Sequence, residues 1–164
     1  MENEKSEGLQ KLLASLQPYP NMRFLLFCEE WGAKERTIGD FCLRSGHELQ
    51  VYTLSREIPQ DGYGKHIRVS GFRSDRRRYD IQGRLYEYAF IECDMDDMEV
   101  LLEKLYPAMA NAGIVYIDTA YLDKEKIPKL KDMSERCNYI GGDFMDPGTG
   151  SDYFYCRKMH GWGP

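Results

Sequence analysis

The spacing of hydrophobic positions changes from helical to strand-like early in the chain. Within residues 1–20, four leucines recur at helical spacing: Leu9, Leu12, Leu13 and Leu16. "QPYP" ends that predicted helix, and the apolar run "MRFLLFC" follows as a strand buried on both faces. "KERTIGDFCLRSG" then predicts a helix ending at Gly46, and "HELQVYTLS" predicts a second strand. Residues 24–54 therefore predict a β-α-β unit with parallel strands.

Another strand and another helix follow after residues 58–84. "YEYAFIECD" predicts a strand, and "DMDDMEVLLEKLYPAMANAG" predicts a long helix that begins at a group of aspartates and ends at Gly113. Its aspartates are Asp94, Asp96 and Asp97, and its apolar stripe is Met98, Leu101, Leu102, Leu105 and Met109. "IVYIDTAY" predicts the next strand, and "LDKEKIPKLKDMSERC" a mostly exposed helix with Pro128 in its first turn or at a kink.

The chain closes with two strand-like segments around a turn. "NYIGGDFMD" and "DYFYCRKMHGW" flank "PGTGS", which predicts an antiparallel hairpin. Together the elements predict a single α/β domain over residues 1–164, an open and mostly parallel sheet with helices on both faces. Residues 58–84 contain the short strand candidate "HIRVSGF" and otherwise give no assignment.

Composition fits a soluble globular protein. The chain has 164 residues, 42% hydrophobic and 30% charged, with a net charge of -5 that argues weakly against nonspecific binding of nucleic acid. No apolar run approaches the roughly 20 residues of a membrane span, and the N-terminus lacks a leader pattern, so we expect a cytoplasmic protein. The five cysteines form no CxxC pair and the three histidines are far apart, which predicts reduced thiols and no metal site.

The order of these elements resembles the class I S-adenosylmethionine-dependent methyltransferase-like (Rossmann-like) superfamily. In that family a strand ends near an acid, a helix follows into a turn with glycine, and an apolar strand comes next. Residues 90–94, 105–113 and 114–118 match this sequence pattern in that order. The resemblance covers nearly the whole chain as topology. It implies a ligand crevice at the carboxyl ends of strands one, two and four, and S-adenosylmethionine as cofactor.

The cofactor motif of that family is degenerate in this chain. Where the family has an acid and a GxG-type turn after strand one, this sequence has "CEEWG", with Gly32 near a required glycine. The family's ribose-binding acid after strand two aligns with Thr53, which cannot supply a charged acceptor. We therefore expect an altered or lost S-adenosylmethionine site, with Trp31 covering the end of strand one. The alternative is a functional methyltransferase with an unusual first motif.

Acidic side chains follow the predicted strands at the edge where open α/β sheets bind ligands. The resemblance places eight residues in the candidate cofactor site: Glu29, Glu30, Trp31, Gly32, Thr53, Ser55, Glu92 and Asp94. A structural explanation competes for each acid, since Glu29 and Glu30 also suit a solvated loop and Asp94 a helix cap. Asp118 and Thr119 suit either a pocket or a helix cap. No catalytic residue is assigned, and burial beside acids predicts a raised pKa for Cys28.

The most unusual local composition is the basic run "KHIRVSGFRSDRRRYDIQGR". Its candidate contacts with phosphate or nucleic acid are Arg73, Arg76, Arg77 and Arg78, interleaved with aromatic residues. A charged, solvated loop is the favoured explanation because the protein as a whole is acidic. The aromatic cluster in the final hairpin predicts sheet core, and an exposed hairpin edge would also suit a homodimer.

Overall fold

A computed structural model describes residues 2–16, 21–53, 67–71, 85–148 and 152–159. The helices in these ranges are α1 (Glu2–Ser15), α2 (Ala33–Ser45), α3 (Met98–Leu105) and α4 (Leu130–Arg136). The strands are β1 (Arg23–Cys28), β2 (Glu48–Thr53), β3 (Ile67–Gly71), β4 (Tyr86–Glu92), β5 (Met109–Asp118), β6 (Tyr139–Met145) and β7 (Tyr153–Lys158). The predicted basic contacts and Ser55 lie outside the described residues.

The seven strands form one sheet in the order β3-β2-β1-β4-β5-β7-β6. The first five of these strands pair in parallel, whereas β7 pairs antiparallel with both β5 and β6. The sheet confirms the predicted α/β class with its mostly parallel strands and closing hairpin. Chain order reverses between β1 and β4, so the crevice of a doubly wound sheet lies between their carboxyl ends.

Helices cover both faces of the sheet. On one face, the leucines of α1 and residues Ile38 and Cys42 of α2 pack with Phe24, Leu26 and Phe90 of the central strands. On the other face, the apolar side of α3 packs with β4, β5 and the start of α4. Gly46 ends α2 in the left-handed conformation, at φ 72°, as the sequence predicts.

The helix predicted over residues 94–113 is much shorter in the structure. Asp97 caps it, accepting a hydrogen bond from the Val100 amide at 3.2 Å, so the expected cap at Asp94 is wrong. The helix ends at Leu105 because Pro107 has no N–H to continue the α-helical pattern. A 3-10 turn follows, and β5 begins at Met109, which the prediction had placed in the helix.

The start of β5 contains a bulge that the sequence analysis did not predict. Tyr86 of β4 pairs with Met109 and Tyr88 with Ile114, so four residues of β5, 110–113, stand opposite a single residue of β4. Within the bulge Ala112 has a φ of 63°, and a Cβ on Gly113 would lie 2.8 Å from the Ala110 carbonyl oxygen. The bulge therefore requires glycine at 113 and turns the chain sharply beside β4.

The helix predicted over residues 122–137 is also shorter in the structure, since α4 begins only at Leu130. Pro128 lies in a 3-10 turn, Ile127–Lys129, immediately before α4. The hairpin strands β6 and β7 cover the predicted segments, and β6 forms an edge of the sheet. None of the described helices has the length and apolar character needed to cross a membrane.

Gly8 brings α1 against the turn that connects β6 to β7. A Cβ on Gly8 would lie 2.5 Å from the Pro147 carbonyl oxygen and 2.8 Å from the Gly148 carbonyl carbon. We expect Gly8→Ala to lower the free energy of unfolding by about 1–3 kcal/mol, because the backbone has to move to admit the methyl group. Urea unfolding measures the change.

The control for helix propensity is Ala14→Gly at an exposed position of α1. That substitution should lose about 0.5–1 kcal/mol, which is the amount that Gly8→Ala would gain if propensity alone mattered. A stabilised Gly8→Ala variant would contradict the close contact between α1 and the turn.

Candidate functional site

Polar side chains converge where the parallel strands end. Cys28, at the end of β1, is in register with Thr53 of β2 on one side and with Glu92 of β4 on the other. Asp118 ends β5 and pairs with Tyr153, the first residue of β7. Thr53, Glu92 and Asp118 are 2%, 1% and 0% exposed. The carboxyl edge of the sheet is therefore polar and largely closed to solvent at these residues.

An ion pair joins α2 to the end of β5. Lys34 lies in the first turn of α2, and its Nζ donates to Oδ2 of Asp118 at 2.5 Å. The Lys34 ammonium also lies 5.4 Å from the centre of the Tyr121 ring, within the range of a cation–π contact. A cation is unfavourable at the positive end of a helix dipole, so the buried Asp118 carboxylate offsets both that repulsion and the loss of water.

Glu92 ends β4, the strand that neighbours β5 and its terminal Asp118. Its Oε1 accepts a hydrogen bond from the Tyr153 hydroxyl, and its Oε2 accepts none from a described donor. Burial and the neighbouring Asp118 carboxylate raise the pKa of Glu92 well above its usual value. A raised pKa favours the neutral form of Glu92, which reduces the repulsion between the two buried carboxyl groups.

The pKa of Asp118 moves in the opposite direction. Burial alone would raise it, but the hydrogen bond from Glu92 and the ammonium of Lys34 outweigh that effect and hold the pKa below its usual value. The Asp118 carboxylate also accepts from the Ala120 amide at 3.0 Å. Asp118 thus caps the turn after β5, and it also contacts Lys34 at the carboxyl edge of the sheet. The sequence analysis offers these two roles, a cap and a pocket residue, as alternatives, and the structure combines them.

Glu35 closes the turn between β1 and α2. Its Oε2 accepts from the Gly32 amide at 3.1 Å and its Oε1 from the Tyr121 hydroxyl at 3.3 Å. Burial raises the pKa of Glu35 despite these hydrogen bonds. The exposed amide expected at the start of a helix is therefore already bound by the protein's own carboxylate.

Thr53 and Trp31 cover the neighbouring part of the edge. Burial raises the pKa of the Cys28 thiol to about 12, opposed by a hydrogen bond with Thr53, and this is the direction that the sequence analysis predicts. Trp31 is half-buried and packs against the core cluster that contains Cys28. Thr53 is thus engaged within the protein, and the indole lies beside the end of β1.

The structure brings together some of the predicted site residues and separates others. Glu92, Thr53, Trp31 and Gly32 line the same edge, and Glu29 and Glu30 are exposed in the turn after β1. Asp94 lies apart, since both of its carboxylate oxygens accept from Lys126 Nζ, at 2.8 and 3.0 Å.

The sequence analysis did not identify Lys34, Glu35 or Tyr153 as site residues. Lys34 carried a usable signal, because a lysine in the first turn of a helix opposes the helix dipole and calls for an acidic partner elsewhere. Tyr153 was predicted as sheet core, and it is buried, yet its hydroxyl binds Glu92. Only the register of β5 with β7 places that hydroxyl at the carboxyl edge.

Several solved structures that superpose on this chain are S-adenosylmethionine-dependent methyltransferases. One from Mesorhizobium loti superposes with a TM-score of 0.70 at 9% identity, covering 94% of this chain and 98% of the other. One from Aquifex aeolicus gives 0.69 at 11% identity, covering 91% and 88%. The chain has a class I methyltransferase fold.

Other comparisons limit what that fold implies. The CurJ carbon methyltransferase gives a TM-score of 0.67 at 11% identity, and 97% of this chain aligns with 54% of that one. The chain thus spans about half of CurJ. It spans 66% of a putative hemolysin from Streptococcus thermophilus, which it matches with a TM-score of 0.64 at 14% identity. No protein-family model and no curated protein sequence matches the chain. At these identities the likeness establishes the fold, and the chemistry has to be argued from the site.

The described residues do not fit the usual contacts to S-adenosylmethionine. Gly32 faces its own helix, since a Cβ there would lie 3.2 Å from Glu35 Oε2, and its amide is bound to the same carboxylate. The position of the ribose-binding acid is held by buried Thr53. In the part of the chain that the structure describes, no group of three histidine, cysteine, aspartate or glutamate side chains could hold a metal ion.

Ionisation of Glu92 should make stability depend on pH. The pKa of Glu92 is raised in the folded state, so the folded protein holds a proton that the unfolded chain releases above its pKa of 4.5. The contribution of Glu92 to the free energy of unfolding is fully present below pH 4.5. Above that pH it falls by about 1.4 kcal/mol per pH unit until the pH reaches the pKa of Glu92 in the folded state. Glu92→Gln keeps a neutral donor, and we expect its stability above pH 5 to fall less steeply than that of the wild type.

Urea unfolding at intervals from pH 5 to 9 measures the two slopes. Glu103→Gln, at an exposed position of α3, is the matched control and should reproduce the wild-type slope. Parallel curves for Glu92→Gln and the wild type would show that Glu92 is ionised throughout this range and would contradict its raised pKa.

Proposed function

We propose that this protein is a binding protein with a methyltransferase fold, in which the S-adenosylmethionine site is altered or lost. Its ligand is a small molecule or a partner that reaches the carboxyl edge of the sheet. The chain's own charged side chains take the place of cofactor contacts there. This proposal concerns binding, and it assigns no catalytic residue.

The ion pair between Lys34 and Asp118 carries the proposal. It connects the start of α2 to the end of β5, and Glu92 ends β4, the strand next to β5. Separating the two charges would leave one of them buried without a partner, at a cost of about 3–5 kcal/mol. A cofactor entering between β1 and β4 would have to displace or rearrange this cluster, and that cost argues against ordinary cofactor binding.

A functional methyltransferase is the second candidate. The structural neighbours are S-adenosylmethionine-dependent enzymes, and the crevice lies at the same reversal point of the sheet. In this interpretation the exposed Glu29 and Glu30 and the turn around Gly32 would contact the cofactor in a way that differs from the family. Methyl transfer to an acceptor would distinguish this candidate from a binding protein.

Calorimetric titration with S-adenosylmethionine and S-adenosylhomocysteine separates the two candidates. We expect no heat of binding at ligand concentrations up to about 1 mM, equivalent to a binding free energy weaker than about 4 kcal/mol. Saturable binding at tens of micromolar, about 6 kcal/mol, would overturn the lost site and support the enzyme.

The double variant Trp31→Gly, Thr53→Asp tests whether the edge is closed by its own side chains. Removing the half-buried indole should lower the free energy of unfolding by about 3 kcal/mol or less, since full truncation of a buried tryptophan costs 3–5 kcal/mol. The variant should also gain weak binding of adenosine, seen in the same titration. Trp31→Phe is the control, since it keeps an aromatic cover and should gain no binding. Equal affinity in both variants would contradict the role of Trp31.

Further partners remain proposals. On the edge strand β6, Ile140 is 41% and Phe144 37% exposed, which supports a homodimer through the closing hairpin. One structural neighbour is a complex of a methyltransferase with the Trm112 activator from Haloferax volcanii, a precedent for a protein partner on this fold.

Binding of nucleic acid by Arg73 and Arg76–Arg78 stays a prediction. The five cysteines are free thiols, which supports a cytoplasmic location.

A further inference from the structure

A cavity lies at the opposite end of the sheet from the candidate site. Its volume is about 620 Å³, within the range of pockets that bind small molecules. The end of α1, the first residues of β4 and the start of β5 form its walls, with Arg157 from β7. Because the parallel strands enter the sheet at this edge, the cavity is separate from Lys34, Glu92 and Asp118.

Two tyrosines of this cavity are held in fixed positions by ring contacts. Tyr88 stacks on Phe24 with 5.2 Å between ring centres, and Tyr116 stacks on Phe90 at 5.0 Å. Burial raises the pKa of Tyr116 to about 12, so its hydroxyl stays protonated at neutral pH. Tyr116 is buried behind the cavity, whereas Tyr88 is half-buried, so its ring is a preorganised surface that reduces the entropy lost when a flat ligand binds.

The bulge at the start of β5 supplies another wall. Asn111, Ala112 and Gly113 all line the cavity, and they are the residues that stand opposite β4 without regular pairing. The left-handed φ of Ala112 carries strain that a regular strand would avoid. The bulge turns the chain aside at this point, and the cavity lies beside it.

The charged groups of the cavity select the kind of ligand. Arg157 is exposed and forms no ion pair with a described residue, so its guanidinium is available to a carboxylate in two-point contact. Glu87 also lines the cavity, and one of its oxygens, Oε2, accepts from the Arg23 amide at 2.6 Å. Its other oxygen can accept from an N–H donor.

We propose that this cavity binds a small planar aromatic carboxylate that carries an N–H donor. Its ring lies along the half-buried Tyr88, its carboxylate pairs with Arg157, and its N–H donates to Glu87. A neighbouring cavity of about 220 Å³ shares Ile114, Tyr116 and Arg157 with the first. This inference is independent of the proposed function, which concerns the other end of the strands.

The experiment is a titration of the full chain with indole-3-carboxylate and, separately, with its neutral analogue indole-3-carboxamide. Binding is measured from the chemical shifts of the backbone amides in two-dimensional ¹⁵N–¹H NMR spectra. We expect shifts at the amides of the bulge, residues 111–113, and at least tenfold weaker binding of the carboxamide. In Arg157→Gln the two probes should bind equally. Arg36→Gln, an exposed arginine of α2, should keep the tenfold preference.

Three results would overturn the proposal. They are equal binding of the two probes to the wild type, shifts confined to residues at the carboxyl edge such as Gly32, and absence of shifts at millimolar probe. An unchanged preference in Arg157→Gln would equally remove Arg157 as the carboxylate contact. None of these results bears on S-adenosylmethionine binding, which the calorimetric titration tests separately.

Discussion

The Lys34 ammonium lies within 2.5 Å of a carboxylate that solvent does not reach, and the rest of the carboxyl edge follows from that contact. A buried charge is tolerated only with a partner and further hydrogen bonds. Lys34 therefore helps to hold the pKa of Asp118 below its usual value, the pKa of the adjacent Glu92 is raised, and Tyr153 donates to Glu92. These requirements fix the start of α2 relative to the ends of β4 and β5.

The same cluster supports our proposal that the S-adenosylmethionine site of this methyltransferase-like fold is altered or lost. The fold brings strand ends together at one edge, whatever side chains they carry. In this chain, Glu35 binds the Gly32 amide and Thr53 is buried beside Cys28. Internal contacts thus use groups that a cofactor would need, while the opposite edge has an open cavity with a charged arginine.

Local patterns predicted most of the fold, because strands, helix stripes and glycine caps depend on nearby residues. The long helix was overextended: its apolar stripe continues through Met109, but Pro107 ends the hydrogen-bond pattern first. The site was only partly predictable. Glu92 and Thr53 follow from strand ends, whereas Lys34 and Tyr153 meet them only through the register of distant strands, which periodicity does not encode.

A double-mutant cycle between Lys34 and Asp118 tests most directly whether this ion pair holds the edge together. Lys34→Met, Asp118→Asn and the double variant are compared by urea unfolding at neutral pH. Each single change should cost about 3–5 kcal/mol, because it leaves one charge buried without its partner. The double variant should be more stable than the sum of the single losses predicts, by more than about 1 kcal/mol. Additive losses would contradict the account.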